Sequence, residues 1–406
     1  MNASLIPTRP LGDVAKVISG YAFKSAEFGE KGVPVIKIKN IRVGTVDLGD
    51  AAYVDERFLE LDSKYHVNPG DLLISLTGSH PNQPNSVVGR VARMGNHQTL
   101  CLLNQRAGKI YFRKGAEGDL GYLFYVLSSP KFRNAVAMLA NGAASQANVS
   151  PTQVEGLEIP FPDLTTQRKI AGILSAYDDL IENNLRRIKI LEEMAQFLYR
   201  EWFVHFRFPG HESAKFSDSS LGRIPNGWGV RKILDFTDVI YGFSFKANRF
   251  NTAGEGIPVV RIRNIQDGQS ETYTEEEGDP KHRIKNGDIL VGMDGDFHMT
   301  IWSGGDAWQN QRVAKFRPKG AMGNYLLFLT LEKPIHFFDS TITGTTVAHL
   351  GDSHIKSIEF ASPPEALMRK ASDLLEPLAQ EQLNLRRRNQ TLRLTRDLLM
   401  PKLLSP

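Results

Sequence analysis

The sequence predicts an α/β protein with two similar domains, which are separated by a pair of long antiparallel helices (a coiled coil) and related by a pseudo-twofold axis. Three observations support this: a long internal repeat, two segments with coiled-coil spacing, and a length of 406 residues, too great for one ordinary core. The predicted parts are a first domain, a helical region, a linker, a second domain and a second helical region, at residues 1–163, 164–206, 207–220, 221–363 and 364–406.

The repeat is clearest in GVPVIKIKNI at residues 32–41, which returns as GIPVVRIRNI at residues 256–265. Other motifs return in the same order: SGYAFKSAEF as YGFSFKANRF, VNPGDLLISLTG as IKNGDILVGMDG, and LNQRAGK as QNQRVAK. A period of about 200 residues is far too long for a solenoid unit. The chain therefore carries a duplicated domain.

Two segments, one after each copy of the repeat, have the periodicity of a coiled coil. Their apolar positions alternate spacings of three and four residues, and a mean of about 3.5 is typical of a coiled-coil seam, whereas a helix on a sheet shows a broader stripe. The first seam contains Ile170, Leu174, Tyr177, Ile181, Asn184, Ile188, Leu191, Ala195 and Leu198. The second contains Leu375, Leu378, Gln382, Leu385, Asn389, Leu392, Arg396 and Leu399.

Asn184 and Asn389 favour a specific pairing of these helices, because a buried asparagine fixes register at some cost in stability. The alternative is that each helix packs only on its own domain. A helix that leaves the second domain can lie beside the first helix only by running back, so the pair should be antiparallel. Pro377 is expected in the first turn of the second helix, because proline breaks a helix interior.

Paired cations on one strand of each copy are candidates for DNA phosphate contacts. Side chains alternate along a strand, so Lys37 and Lys39 should share one face, as should Arg261 and Arg263 in the second copy. Cations on a common face can bind phosphates. A solvated strand face is the simpler interpretation for either copy alone, but the repetition favours phosphate binding.

The loops after the GDLL and GDIL strands differ where the scaffold repeats. TGSHPNQPNS at residues 77–86 and DGDFHMT at residues 294–300 contain groups that can read base edges, as do GAASQANVS at 142–150 and GTTVAHLGD at 344–352. Ordinary turn chemistry explains these compositions equally well. With the strand cations, the candidate DNA-binding residues are Lys24, Ser79, His80, Asn82, Gln83, Arg106, Gln146, Lys246, Asp294, Asp296, His298, Arg312, Thr345 and His349. The amides of the two NQR triplets are expected to satisfy backbone groups instead.

Motifs for catalysis are missing from the sequence. It has no GxxxxGK[ST] phosphate loop, no Asp/Asn-Pro-Pro-aromatic motif of amino-methyltransferases and no HExxH. A single cysteine excludes an internal disulfide or a cysteine cluster for zinc, and indicates the reducing cytosol. No apolar run approaches the roughly 18 residues of a membrane span. A net charge of +4 is weak support for an anionic partner. Together, these observations predict a soluble, cytoplasmic binding protein.

Three stretches resemble a known family. Residues 166–204 (TQRKIAGILSAYDDLIENNLRRIKILEEMAQFLYREWFV) and 394–405 (LTRDLLMPKLLS) are similar to the two central conserved regions of Type I restriction-modification specificity subunits. Residues 221–233 (LGRIPNGWGVRKI) resemble the stretch that opens a target-recognition domain in that family. The resemblance covers essentially the whole chain. It implies a non-catalytic DNA-specificity subunit with two α/β target-recognition domains, each reading one half of a split site.

The same resemblance implies the partners. Two methylation (M) subunits would bind through the helices, and restriction (R) subunits would join that core on double-stranded DNA. S-adenosylmethionine, ATP and Mg would belong to those partners, with no cofactor in this chain. Because the second helix carries Pro377 and the arginine-rich LRRRNQ, the two M sites need not be equivalent. The alternatives are a coiled-coil scaffold that binds only proteins, and a degenerate nuclease or methyltransferase.

Overall fold

The structure is a computed structural model that describes residues 6–78, 88–95, 99–143, 146–342 and 348–405, without the side chains of residues 141–143 and 146. The chain divides into two compact units, here called the first unit (residues 1–179 and 392–406) and the second unit (residues 180–391). Each unit thus contains one copy of the repeat together with part of both long helical segments.

The first unit contains many short strands. Those in its described residues are β1 (Thr8–Pro10), β2 (Ala15–Ser19), β3 (Phe28–Gly29), β4 (Val33–Ile36), β5 (Gly44–Thr45), β6 (Ala52–Val54), β7 (His66–Val67), β8 (Leu72–Ser75), β9 (Thr77–Gly78), β10 (Val91–Arg93), β11 (Cys101–Leu103), β12 (Ala107–Phe112), β13 (Asn141–Ala143), β14 (Gln146–Asn148) and β15 (Glu158–Pro160).

The second unit has a matching set of strands. They are β16 (Phe216–Ser219), β17 (Gly222–Pro225), β18 (Gly229–Lys232), β19 (Thr237–Tyr241), β20 (Phe250–Asn251), β21 (Ile257–Val260), β22 (Tyr273–Thr274), β23 (Arg283–Ile284), β24 (Ile289–Gly292), β25 (Met299–Ile301), β26 (Ala307–Gln309), β27 (Val313–Pro318) and β28 (Glu359–Ser362). The segment predicted as a linker, residues 207–220, therefore includes β16, which forms an antiparallel hairpin with β17.

The helices range from single turns to two long rods. They are α1 (Leu11–Val14), α2 (Leu120–Ser128), α3 (Pro130–Leu139), α4 (Pro151–Glu155), α5 (Leu164–Tyr199), α6 (Ile262–Asp267), α7 (Asn324–Thr341), α8 (Asp352–Ser357) and α9 (Glu365–Leu404). A π-helical turn, Arg200–Val204, continues α5. No helix in the described parts of the chain is long and apolar enough to cross a membrane.

Equivalent strands pair in the same order in both units, which confirms the predicted duplication. One sheet runs β2-β12-β8-β10 in the first unit and β19-β27-β24-β25 in the second, and β5 extends the first of these by pairing with β10. The other sheet runs β3-β6-β4-β11-β7 and β20-β22-β21-β26-β23. The central pairs β4-β11 and β21-β26 are parallel, so both units mix parallel and antiparallel strands.

Each unit has its main core between a sheet and helices. In the first unit, Leu72 and Ile74 of β8 pack in one cluster with Tyr122 of α2 and Leu174 of α5. The Asp119 carboxylate accepts a hydrogen bond from the Tyr122 backbone N–H and so caps α2. Burying such side chains on both elements supplies the hydrophobic stabilisation of the unit.

The final lysine of the repeated motif LNQRAGK/QNQRVAK is buried in both copies. Lys109 Nζ donates to the backbone carbonyl of His66 at 2.6 Å and lies 3.6 Å from Asp71 Oδ2. Lys315 Nζ donates to the first carbonyl of β23 and lies 3.9 Å from Asp288 Oδ2. Because buried charges need such partners, the GD and NQR motifs recur together for a structural reason.

The two long helices run antiparallel, as predicted. In the second unit, Asn184 faces Asn389, and Glu192 pairs with Arg386 at 2.5 Å, so residues ascending α5 meet residues descending α9. In the first unit, Asp178 of α5 pairs with Arg396 of α9. The residues of both predicted seams are all buried or half-buried.

Helix α9 does not begin near Pro377, and that prediction is wrong. The helix is continuous from Glu365 to Leu404, with Pro377 in its interior. A proline there costs about 3 kcal/mol. Tertiary contacts hold the preceding turns: Ser372 Oγ accepts from the Gly323 N–H at 2.8 Å, and Leu375 is fully buried. These contacts offset the local cost, which the sequence pattern alone did not indicate.

Candidate nucleic-acid interface

The divergent loops meet at the same edge of each unit. In the first unit, β9 pairs with β14, which joins the loop after the GDLL strand to the 142–150 stretch. In the second unit, an isolated bridge between Asp294 and His349 joins the equivalent segments. The described ends of two segments that are far apart in sequence therefore lie side by side in each unit.

A side-chain hydrogen bond links the two segments at equivalent positions. Thr77 Oγ1 donates to Asn148 Oδ1 at 2.8 Å in the first unit. In the second, His349 Nδ1 lies 2.5 Å from Asp294 Oδ1. A carboxylate only accepts, so His349 Nδ1 carries the proton. Because the His349 side chain is 48% exposed, its ring presents the Nε2 edge to a ligand.

Asp294 also binds Arg312, the arginine of the second NQR triplet. Arg312 Nε lies 3.0 Å from Asp294 Oδ2, and the Arg312 side chain remains 55% exposed. The carboxylate thus orients an imidazole and a guanidinium together. Arg106 holds the equivalent backbone position, since the N–H of Leu76 donates to its carbonyl at 3.0 Å, and its side chain is exposed.

A second polar group joins the 294–300 loop of the second unit to helix α6. Gln266 Nε2 lies 2.9 Å from His298 Nδ1, and His298 Nε2 lies 3.7 Å from Asp296 Oδ2. An amide N–H donates to Nδ1, so the His298 proton is placed on Nε2. Sequence analysis missed Gln266, although it directly follows the repeated IRNI motif, where the first copy has Arg42.

These side chains offer hydrogen-bond donors and acceptors of both kinds. Arg312 can donate two parallel bonds, as it would to the O6 and N7 of guanine, and Asp296 can accept from a cytosine amino group. Among the described residues, no group of three His, Cys, Asp or Glu side chains could hold a metal ion. The surface is suited to direct readout of base edges.

The strand cations do not share a strand face, and that prediction is wrong. Strand β4 ends at Ile36, and β21 ends at Val260. A helical turn follows in each copy because the N–H of residue 37 or 261 donates to an asparagine three residues later: Asn40 Oδ1 at 2.9 Å, or Asn264 Oδ1 at 3.0 Å. Such local capping competes with continuation of the strand.

The cations of the first copy make contacts within the protein. Lys37 Nζ lies 3.6 Å from the centroid of the Phe28 ring, and burial, assisted by the Lys39 charge, lowers the pKa of Lys37. Lys39 Nζ lies 3.0 Å from Asp50 Oδ2. A cation that already interacts with an aromatic ring or a carboxylate must give up that contact, or share it, to bind a phosphate.

The second copy differs at its last cation. Arg261 donates to Thr272 Oγ1 and lies over the Phe250 ring at 5.5 Å, and burial, assisted by the Arg263 charge, lowers the pKa of Arg261. Arg263 is exposed and pairs with no described residue. Of the four strand cations, Arg263 is the one that the fold leaves most available to DNA.

The remaining candidate residues fall into two groups. Lys24 and Lys246 are exposed, and carboxylates of Glu27 and Glu276 accept from their backbone N–H groups. Outside the described residues lie Ser79, His80, Asn82, Gln83 and Thr345, and the Gln146 side chain.

The amides near the NQR triplets serve the backbone in part. Asn310 Oδ1 accepts from the Gln311 N–H at 2.6 Å, whereas Gln105 and Gln311 are exposed. The buried amide is Gln309, just before the second triplet, which donates to the Val313 carbonyl at 2.7 Å. The structural interpretation of the amides therefore applies to Asn310, and extends to a residue outside the triplet.

Comparison with known proteins identifies the family. Residues 6–193 and 225–393 match the family model of the Type I restriction modification DNA specificity domain. The Type I restriction enzyme MjaIX specificity subunit of Methanocaldococcus jannaschii is 25% identical over 296 residues, which cover 70% of this chain and 67% of that subunit. The EcoBI specificity subunit of Escherichia coli is 29% identical over 161 residues, which cover 39% of this chain and only 34% of that subunit.

A solved structure shows the same fold. The crystal structure of the Type I restriction-modification system S subunit from M. genitalium superimposes with a TM-score of 0.65, covering 100% of this chain and 98% of that chain at 15% identity. Both family-model matches fall on the two copies of the repeat and extend into the long helices. The chain belongs to the Type I restriction-modification DNA specificity family, and it carries two copies of that family's domain.

Proposed function

We propose that this chain selects a bipartite DNA site for a Type I restriction-modification complex, with one domain for each half-site. The observation that carries the proposal is a repeated scaffold with different side chains at the equivalent edge. Where the first unit has the Thr77–Asn148 pair, the second has Asp294 with His349 and Arg312. A common strand order with different hydrogen-bonding groups suits two readers of different sequences.

Catalysis is assigned to partner subunits. Two M subunits would supply methyl transfer from S-adenosylmethionine to adenine, and R subunits would supply cleavage driven by ATP and Mg. Such a complex acts on DNA inside the cell, so the proposal places the chain in the cytoplasm. These assignments follow from the family to which the chain belongs.

The long helices offer a surface for the M subunits. Beyond the seam, Ile190, Met194 and Phe197 of α5 remain 55%, 50% and 61% exposed. Their spacings of four and three residues place them in one row along the helix. An exposed apolar row of this kind is suited to packing against a partner's helix. Replacing Met194 and Phe197 with Gln should therefore weaken copurification of the M subunit, whereas replacing exposed Lys189 should not.

The deciding experiment maps methylated adenines in cells that carry this chain together with its M subunit. The expected result is one split motif with a fixed unread spacer. Purified chain alone should neither methylate nor cut the same DNA. Methylation without a sequence preference would favour a scaffold that binds only proteins, and activity of the isolated chain would restore the enzyme alternative.

A further inference from the structure

Three arginines lie together beside the base-reading edge of the first unit. Arg90, just before β10, donates from Nη1 to the carbonyl of Ile41 at 3.3 Å, which brings it next to Arg42. The preceding residue, Gly89, packs against helix α3, because a Cβ at Gly89 would lie 3.5 Å from the carbonyl oxygen of Arg133. The backbone thus gathers Arg42, Arg90 and Arg133 from three separate elements.

The charges of these arginines act on one another. Arg90 is half-buried, and its Nε is buried without a hydrogen-bond partner among the described residues. Burial, together with the charges of Arg133 and Arg42, lowers the pKa of Arg90. Asp47 Oδ2 lies 3.5 Å from Arg42 Nε, but both side chains are 49% exposed, and such a pair contributes about 0–1 kcal/mol. An added anion would relieve the repulsion between the arginines.

The second unit has different residues at the same place. The N–H of Ser75 in β8 donates to the Arg90 carbonyl at 2.9 Å, and the N–H of Gly292 in β24 donates to the His298 carbonyl at 2.8 Å. Because β8 and β24 are equivalent strands, His298 takes the place of Arg90.

The other two cations are also replaced. Gln266 follows the second copy of the repeated motif where Arg42 follows the first, and its amide contacts His298. Where α3 presents Arg133, helix α7 presents Asp339, whose carboxylate accepts from the Phe297 N–H at 2.8 Å. The equivalent patch of the second unit is therefore polar and partly acidic.

We infer that Arg42, Arg90 and Arg133 form a phosphate-binding cluster that holds the DNA backbone at the first unit's half-site, and that the described residues of the second unit form no equivalent cluster. The inference rests on the proposed function. Guanidinium groups form charge-assisted, paired hydrogen bonds to phosphate oxygens. The cluster borders the base-reading edge. The N–H of Ser75 donates to the Arg90 carbonyl, and the side chain of Thr77, two residues after Ser75, donates to Asn148. Phosphate contacts position a protein on DNA, whereas base contacts select sequence.

The test exchanges the residues of the two units. In the full chain with its M subunit, Arg42→Gln combined with Arg90→His places the second unit's residues in the first. Binding is measured by fluorescence anisotropy between about 50 and 200 mM salt, on duplexes with and without the methylated motif. The logarithmic salt slope should become shallower by about two, because each lost phosphate contact contributes about 0.9. Affinity should fall alike on both duplexes, and the methylation motif should not change.

Two further variants make the result decisive. Arg42→Gln alone, at an exposed side chain, should reduce the slope by about one, which excludes misfolding at half-buried Arg90 as the cause. Lys131→Gln, an exposed residue on α3, controls for net charge and should leave the slope unchanged. Unchanged slopes in both arginine variants, with motif-specific binding intact, would overturn the cluster but not the proposed function. A wild-type complex without sequence preference would overturn both.

Discussion

Asn184 donates a hydrogen bond from Nδ2 to Oδ1 of Asn389 at 2.8 Å, between two side chains that are buried in the helix pair. Asn389 Nδ2 also donates a hydrogen bond, at 3.4 Å, to the backbone carbonyl of Ile181. Ile181 is the seam residue about one turn before Asn184. A polar pair inside an apolar seam stabilises one register over its neighbours, because any shift leaves both amides unpaired.

Removing one amide should cost more than removing both. Asn184→Leu leaves Oδ1 of the buried Asn389 without its donor, so the free energy of unfolding should fall by about 1–3 kcal/mol. Asn184→Leu with Asn389→Leu should recover most of this loss, because two apolar groups pack in the seam. Urea unfolding of the wild type, Asn184→Leu, Asn389→Leu and the double variant measures the coupling, and Leu180→Ala, at an exposed position, is the control. Additive losses would show that the two amides do not act as a pair.

The buried Lys315 should affect how stability depends on pH. Burial lowers its pKa from 10.5 to about 8, because desolvation outweighs the attraction of Asp288. Between about pH 8 and 10.5 the unfolded chain therefore binds more protons than the folded chain, so this lysine makes stability rise with pH across that window.

Lys315→Met should flatten that rise, even though it also destabilises the protein by leaving the carbonyls of Lys281 and Arg283 without their donor. The measurement is the urea midpoint at several pH values from about 7.5 to 10. Lys333→Met, at an exposed lysine, supplies the comparison. If the variant keeps the wild-type slope against pH, Lys315 is not the group that titrates in this range.

Much of the architecture follows from periodicity and repetition, whereas the site depends on contacts that the sequence does not display. The repeat predicted two like domains, and the spacing of three and four predicted the helix pair. The strand cations were misplaced because Asn40 caps the preceding backbone and ends the strand. Pro377 was misplaced because contacts at Ser372 hold the helix in place. The pairing of Asp294 with His349 joins residues that only the folded sheet brings together.

Changing Asp294 should relax only the half-site of the second unit. Asp294→Asn removes the charge that orients His349 and Arg312, and discrimination there should fall by about 5- to 150-fold, since one good base contact provides about 1–3 kcal/mol. Methylation profiling of the mutant complex tests this. Asp267→Asn, an exposed residue of the same unit, is the control. Equal loss at both half-sites would contradict a division of recognition by domain.

The reciprocal change concerns the first unit. His80 and Gln83 follow the GDLL strand in the sequence. Replacing both with Ala should relax the first unit's half-site, while the half-site of the second unit stays intact. The same methylation profiles measure the outcome. A loss confined to the half-site that Asp294→Asn also relaxes would show that the two loops read the same bases.

The length of the helix pair should set the unread spacer of the DNA site. From Ile170 to Leu198 the helix rises about 42 Å at 1.5 Å per residue, somewhat more than the roughly 34–36 Å between half-sites one turn apart. Four residues inserted after Asn184 add about 6 Å and roughly one helical turn, so the seam stays nearly in phase. Because α9 is antiparallel and Asn389 faces Asn184, four residues must also be inserted just before Asn389.

The lengthened complex should keep both half-sequences and add one or two base pairs to the spacer, at about 3.4 Å for each base pair. Adenine methylation profiling reads the spacer directly. An insertion of the same length after Glu255, in an exposed loop of the second unit, should leave it unaltered. If the lengthened complex is active and its spacer does not change, the helices do not set the distance between the half-sites, since a longer helix pair would then have left the unread spacer unaltered.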